Sequence, residues 1–375
     1  MKTFRNIALG ILISTFIVIV GCLTFYNYQI SPVSKSDKTV SIEIPNGANA
    51  KDIASILKKN GLIRDERMFI IYAKLNKSNN MKAGYYDISP NMGVKKIVAM
   101  LEEGSKINPN EITLTFREGI TMRDIAKVIE DGTNNSYDSV IEKSNDLTYL
   151  NSVIEKYWFV TSDILNDDIY YKLEGYLFPE TYNFNNKDVT VEEIFNKMLD
   201  QMAKMLEPYK DDITKSNLSI HGIMTLASMV EKESPKDIEY KQNEASESRR
   251  NVASVFMNRI NRGMSLGSDV TAYYALKIDN AKKYVDEVCG GRNCINYNVQ
   301  SPYNTRLTNG TMNGKLPVGP ISTISLASLK AAINPTDTNY IYFIANIQTN
   351  ETFFYENASG FNAKKNELNS VNGGL

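Results

Sequence analysis

Glu231 and Glu233 close the stretch Leu226 to Ser234, LASMVEKES, where an apolar helical run meets its first carboxylates. A glutamate held against apolar neighbours has its charged form disfavoured, so it keeps a proton that it can give to a leaving oxygen near neutral pH. Cleavage of a glycosidic bond needs such an acid. At about 100° per residue, Ile223, Leu226, Ala227 and Val230 share one helix face, and the two glutamates fall on opposite flanks of that stripe. Spacing alone does not choose between them, and a glutamate flanking an amphipathic helix is commonly just a solvated edge.

The remaining composition narrows the chemistry. His221 is the only histidine, so a serine triad or a histidine-based zinc site would have to be built round it. It stands where a helix begins, which reads as a structural or solvent-facing place. There is no phosphate-cradling glycine loop and no ligand cluster, so neither metal nor cofactor is expected. Lys and Arg number 42 against 43 Asp and Glu, a net charge of -1, which gives no field to gather nucleic acid. Cys289 and Cys294, in CGGRNC, permit either a small disulfide-closed loop in an oxidising exterior or two lone surface thiols.

The elements that must position these groups begin with a tether. Ile7 to Tyr26 carries no charged side chain and is preceded by Lys2 and Arg5. About twenty such residues cross a bilayer core as a helix, and the basic end favours a cytoplasmic N-terminus with the chain from about Lys35 outside. A cleaved signal peptide and a lipid anchor at Cys22 are the rival readings; the run is long for a signal segment and lacks an A-x-A-like site, and an uncleaved single-pass helix is expected.

SPVSKSDK (31–38) reads as a polar linker. Then IPNGANAKDIASILKKNG (44–61) is echoed by TFREGITMRDIAKVIEDG (115–132), aligning Gly47 with Gly119, Asp52 with Asp124, Ile53 with Ile125, Ala54 with Ala126 and Leu57 with Ile129. Each copy has an alternating apolar strand, a glycine turn and a short helix; a weaker third copy carries Ile97, Val98, Met100 and Leu101. Two clear copies are too few for a solenoid and predict a compact α+β accessory domain. LEGYLFPETYNF (173–184) reads as a packed aromatic corner, and Thr190 with Glu193 as a capping box. The expected map is a cytoplasmic tip and membrane helix (1–30), a linker (31–38), an α+β module (39–132), a helical insertion and connecting region (133–215) and a catalytic domain (216–375).

LASMVEKES is followed by VASVFMNRINRGMSLGSDVTAYYAL (252–276), SPYNTRL (301–307) and LPVGPISTISLASLKAAINPTDTNYIYFIAN (316–346), and preceded by AGYY (83–86) and LEGYLFPETY (173–182). In this order, over nearly the whole chain, they resemble the YceG-like endolytic murein transglycosylase family. The resemblance implies an α+β fold with an N-terminal transmembrane helix, a LysM-like strand–helix module and a mixed α+β catalytic domain outside the cytoplasm. It implies that Glu231 is the catalytic acid and base, with Glu233 supporting or structural. One glutamate would protonate the leaving oxygen of a MurNAc–GlcNAc bond in peptidoglycan, then take the proton of the C6 hydroxyl of the same MurNAc as a 1,6-anhydro ring closes; no second carboxylate is then needed.

Tyr303 and Asn304, matching the family's YNT segment, would line the sugar cleft, and Asp269 in GSDVT matches a polar turn near the same site. Their plainer readings are a loop anchor, a turn residue and a helix N-cap. Val270 stands where the family commonly has proline, Arg306 where an aromatic often follows YNT, and Phe361 where a histidine is frequent; Asp279 to Gln300 is longer than usual. Cell-wall synthases are the protein partners the resemblance implies. Two rivals remain: a glycan-binding scaffold without activity, and a muramidase that uses water, with Asp269 as its second carboxylate.

Overall fold

The apolar N-terminal run forms one continuous helix, α1 (Lys2–Ile30), of which Leu9–Ile30 is long and apolar enough to cross a membrane. Its large apolar side chains from Leu9 to Phe25 stand exposed. The computed structural model describes residues 2–78, 80–105, 108–234, 245–279, 281–289, 294–346 and 348–369, and the chain divides into two units, Met1–Glu111 and Ile112–Leu375.

In the first unit β1 (Val40–Ile44), α2 (Ala50–Lys59), α3 (Glu66–Leu75), β2 (Gly84–Ile88) and α4 (Val94–Glu103) follow α1. β1 and β2 pair antiparallel, Val40 opposite Ile88 and Ile44 opposite Gly84. Ile42, Ile53, Leu57, Phe69, Ile97 and Leu101 fill the core beneath them. Residues 31–38, expected as a polar linker, are tied down. Val33 and Ser34 donate backbone N–H groups to Pro90 O at 3.0 and 3.1 Å. The Arg64 guanidinium donates to Pro32 O and Val33 O at 2.7 and 3.2 Å and lies 4.5 Å over the Tyr28 ring.

The second unit contains β3 (Ile112–Thr115), α5 (Met122–Gly132), α6 (Tyr137–Ser144), α7 (Leu147–Lys156), β4 (Thr181–Phe184), α8 (Val191–Leu206), α9 (Lys210–Lys215), α10 (Ile220–Glu233), α11 (Glu247–Asn261), α12 (Asp269–Ala275), α13 (Ala281–Tyr284), α14 (Leu326–Ile333), β5 (Tyr342–Ala345), β6 (Thr352–Tyr355) and α15 (Ala358–Leu368). Helices and two-stranded antiparallel sheets together make a mixed α+β fold.

The strand–helix repeat is physical. Gly47 and Gly119 both take a left-handed turn, with φ of 80° and 72°. Asn49 and Thr121 then cap α2 and α5, and Asp52 and Asp124 complete matching capping boxes. α4, the faint third copy, starts at Gly93 without a side-chain cap. The clear copies nevertheless part company, and the structure divides the chain differently from the 39–132 module and 133–215 insertion expected. β3 pairs with β4, Ile112 opposite Phe184, and Ile125 and Ile129 join the large core of the second unit. Val140, Leu150, Val153, Phe195 and Met198 belong to the same core, so the 133–215 region builds this unit rather than decorating it.

Candidate active site

α10 is fixed at its start by Ser219, whose hydroxyl accepts the Gly222 N–H at 3.1 Å. Every residue from Ile223 to Val230 is buried, so the helix is sheathed all round rather than along one stripe. Glu231 and Glu233 therefore leave the core at the helix end, and neither is a solvated edge.

The Glu231 side chain is 9% exposed. Its Oε2 accepts the Ser325 N–H at 3.1 Å, the Ser325 hydroxyl, the Ser328 hydroxyl at 2.7 Å and Arg249 Nη1 at 3.2 Å. Ser325 is the N-cap of α14, which sets this oxygen at the positive end of a helix. Arg249, from α11, also donates to the Ser325 and Ser328 hydroxyls at 3.1 and 2.6 Å, bracing the cage. Among the described residues no hydrogen bond reaches Oε1, so one oxygen is anchored and its partner is left for other work.

Glu233 has an apolar setting of the kind that favours the protonated form. Burial pushes its carboxyl above the ordinary value, against the pull of the Ser268 hydroxyl, which donates at 2.6 Å, and of Arg259 and Arg306. Ser268 caps α12, and its loop is pinned by Thr305, whose carbonyl accepts Gly267 N–H at 3.0 Å and whose hydroxyl accepts Ser268 N–H at 3.1 Å.

One wall comes from the second copy of the repeat. The Gly119 turn lies against Glu231, and Lys232 Nζ donates to Gly119 O at 3.1 Å. Sequence reasoning missed Arg249, Ser325 and Ser328; the two serines had a local signal in the Ser-x-x-Ser pattern at the start of α14, and Arg249 had none.

Tyr303 and Asn304, expected to line the cleft, are fully buried. The Tyr303 ring sits 4.7 Å from that of Tyr274 and 4.8 Å from that of Tyr170, and its hydroxyl accepts Tyr170 N–H at 3.3 Å. Asn304 Nδ2 donates to Tyr297 O and Val299 O, both at 2.9 Å, while Oδ1 accepts Arg306 N–H at 3.0 Å. The Tyr303 hydroxyl is spent on Tyr170 and the Asn304 amide on its own loop. Asp269 occupies the first turn of α12, not its cap, and forms a half-exposed ion pair with Arg306, whose guanidinium lies 4.7 Å over Tyr297. His221 links Tyr176 Oη at 2.7 Å to Val318 O at 2.9 Å, a structural place. The Cys289 side chain, and with it the choice between a disulfide to Cys294 and two lone thiols, lies outside the described residues; Cys22 is free and exposed.

The chain matches the model of the YceG-like family over residues 42–367. It is 34% identical to the endolytic murein transglycosylase of Bacillus subtilis (strain 168), covering 95% of this chain and 92% of that protein. It is 31% identical to the endolytic murein transglycosylase of Streptococcus pneumoniae serotype 2 (strain D39), covering 91% of this chain and 62% of the longer pneumococcal protein. A yceG-like protein of Listeria monocytogenes, solved by crystallography, superposes with a TM-score of 0.57 at 33% identity, covering 88% of this chain and 100% of that one. Matched along most of its length in each comparison, the chain belongs to the YceG-like family.

Proposed function

We propose that the protein is a membrane-anchored endolytic lytic transglycosylase that cuts MurNAc–GlcNAc bonds within peptidoglycan strands and leaves 1,6-anhydro-MurNAc ends. The observation that carries this reading is the asymmetric cage of Glu231, with four donors on Oε2 and Oε1 left for substrate. Protonated Glu231 gives its proton to the bridging oxygen as the bond from MurNAc C1 to that oxygen breaks. The C6 hydroxyl of the same sugar then forms the C1–O6 bond and returns a proton to Glu231, so no water is consumed. The carboxyl must be tolerated with its proton and without it. The sheathed end of α10 serves the first form, and Arg249, the two serines and the α14 N-terminus serve the second. Proximity supplies the nucleophile, a hydroxyl already on the sugar that reacts.

Glu233 supports the site through Ser268. Tyr303 and Asn304 act from beneath the cleft wall, while the Asp269–Arg306 pair offers charged groups at its rim. The first unit serves as a LysM-like holder of glycan. α1 spans the membrane with a cytoplasmic N-terminus, placing the catalytic unit outside, next to cell-wall synthases as partners. Mass spectrometry of fragments released from purified peptidoglycan tests the reading, with Glu231→Gln and Glu233→Gln alongside. Anhydro ends that vanish with Glu231→Gln are expected. Reducing ends would make it a muramidase, and glycan retention without any fragments would make it a scaffold.

A further inference from the structure

Glu174, in the aromatic stretch 173–184, is 1% exposed. Both its carboxylate oxygens accept the Met122 N–H at 3.0 Å, and Oε2 also accepts the Tyr274 hydroxyl at 3.0 Å. The charged groups that face it are Arg123 and Asp279, themselves ion-paired, and Tyr303 is a further titratable neighbour.

Each partner leads to a glutamate of the site. Met122 opens α5, directly after the turn that meets Glu231, and Thr323 is knitted to that turn. Thr323 N–H donates to Ile120 O at 2.8 Å and its carbonyl accepts Gly119 N–H at 3.2 Å; its hydroxyl accepts Ile120 N–H and donates to Arg117 O, both at 3.0 Å. Two residues on, Ser325 holds Glu231 by its amide and hydroxyl. Tyr274 belongs to α12, whose cap Ser268 holds Glu233. Gly175, beside Glu174 at φ 79°, lets the backbone press on the loop before Ser325: an added Cβ would collide with the Pro320 side chain and lie 3.4 Å from Ser322 O.

We propose that Glu174, as a carboxylate, is the positioning residue that keeps the Gly119 turn and α12 in the register at which Glu231 and Glu233 address one glycan. This role rests on the transglycosylase reading. An ionised carboxylate accepts on both oxygens, whereas protonation makes one oxygen a donor, which cannot face the Met122 N–H and would turn the Tyr274 hydroxyl from donor to acceptor. Burial lifts the group to about 7, against the pull of the Met122 N–H, the Tyr274 hydroxyl and Arg123, so the change falls at neutral pH.

The test follows release of anhydro ends from glycan strands by the full-length protein across the neutral range, for wild type, Glu174→Gln and Tyr274→Phe. Wild-type kcat is expected to rise with pH through an inflection near 7. Glu174→Gln should lose that inflection and about 100-fold in kcat with apparent KM little changed, the scale of a reacting group displaced by about an ångström. Tyr274→Phe, which strips one donor from the carboxylate, should move the inflection to higher pH. A Glu174→Gln enzyme with the wild-type profile overturns the proposal, as does a Tyr274→Phe inflection that stays in place; if Glu174→Gln does not fold, the Tyr274→Phe profile decides.

Carbon-13 carboxyl shifts of Glu231 and Glu233 give a readout free of activity. Both should move through the same inflection in wild type and lose it in Glu174→Gln, and their stillness in wild type overturns the positioning role. Wild type that releases no anhydro ends while those shifts still respond overturns the transglycosylase reading alone.

Discussion

Gly119 abuts Glu231: a methyl group added to the glycine would come to rest 3.7 Å from the glutamate Cγ. Gly47, the matching residue of the first copy, has nothing within 4 Å of such a methyl. Both hold a left-handed φ that costs an L-residue about 1–2 kcal/mol. Gly119→Ala and Gly47→Ala are therefore expected to lower Tm by similar amounts, while only the former slows anhydro-end release. Melting curves and initial rates on the two variants check this; equal rates would detach the turn from the site.

Arg249 and Glu231 are a buried pair, with side chains 8% and 9% exposed. Removing the cation alone leaves a carboxylate without its counter-charge, so Arg249→Met should destabilise by about 3 kcal/mol and abolish activity. Arg249→Met combined with Glu231→Gln should cost less than the sum of the single changes, because the stranded charge is gone. Urea titrations of the four proteins measure the coupling, and strict additivity would mean that the pair contributes nothing.

Stability should fall as pH rises above the ordinary carboxyl range. Glu233 and Glu174 both bind a proton more tightly folded than unfolded, Glu174 up to about 7 from 4.5. Below both values each is protonated in either state and the term vanishes. Through the interval the folded state holds more protons than the unfolded chain, so stability declines by up to about 1.4 kcal/mol per pH unit for each group. Glu233→Gln should remove one such term and flatten the curve. Urea midpoints across that interval provide the check, and a rise with pH would reverse the assignment.

Gly175→Ala combines a φ of 79° with a collision against Pro320. A loss of about 3 kcal/mol is expected, with displacement of the loop that carries Ser325. Differential scanning calorimetry reads the cost; a wild-type Tm would show that the 320–322 loop yields freely.

The parts of this molecule legible in sequence were those encoded locally. The glycine turns and the Thr190–Glu193 box depend on residues within one helical turn of each other, and they formed where their spacing placed them; the boxes completed by Asp52 and Asp124 emerged only with the structure. The glutamate pair stood out because apolar residues surround it. Its setting did not, since Arg249 reaches Glu231 across 18 positions and Ser325 across 94. Tyr303 and Asn304, which the resemblance puts along the cleft, are fully buried, the Tyr303 ring packed against Tyr170 and Tyr274 in contacts that no local pattern encodes. The chain divides at Glu111/Ile112, inside the module expected over 39–132, where a repeated strand finds a partner outside the repeat, β3 on β4.

Arg64 has a consequence for reach. A free eight-residue coil would let whatever follows it wander through a hemisphere above the lipid. Bound along the first unit by Arg64 and by the Pro90 carbonyl, residues 31–38 have no such slack. With α1 in a bilayer, that unit would therefore ride at a fixed altitude above the lipid, its height set by the length of the helix rather than by the play of a coil.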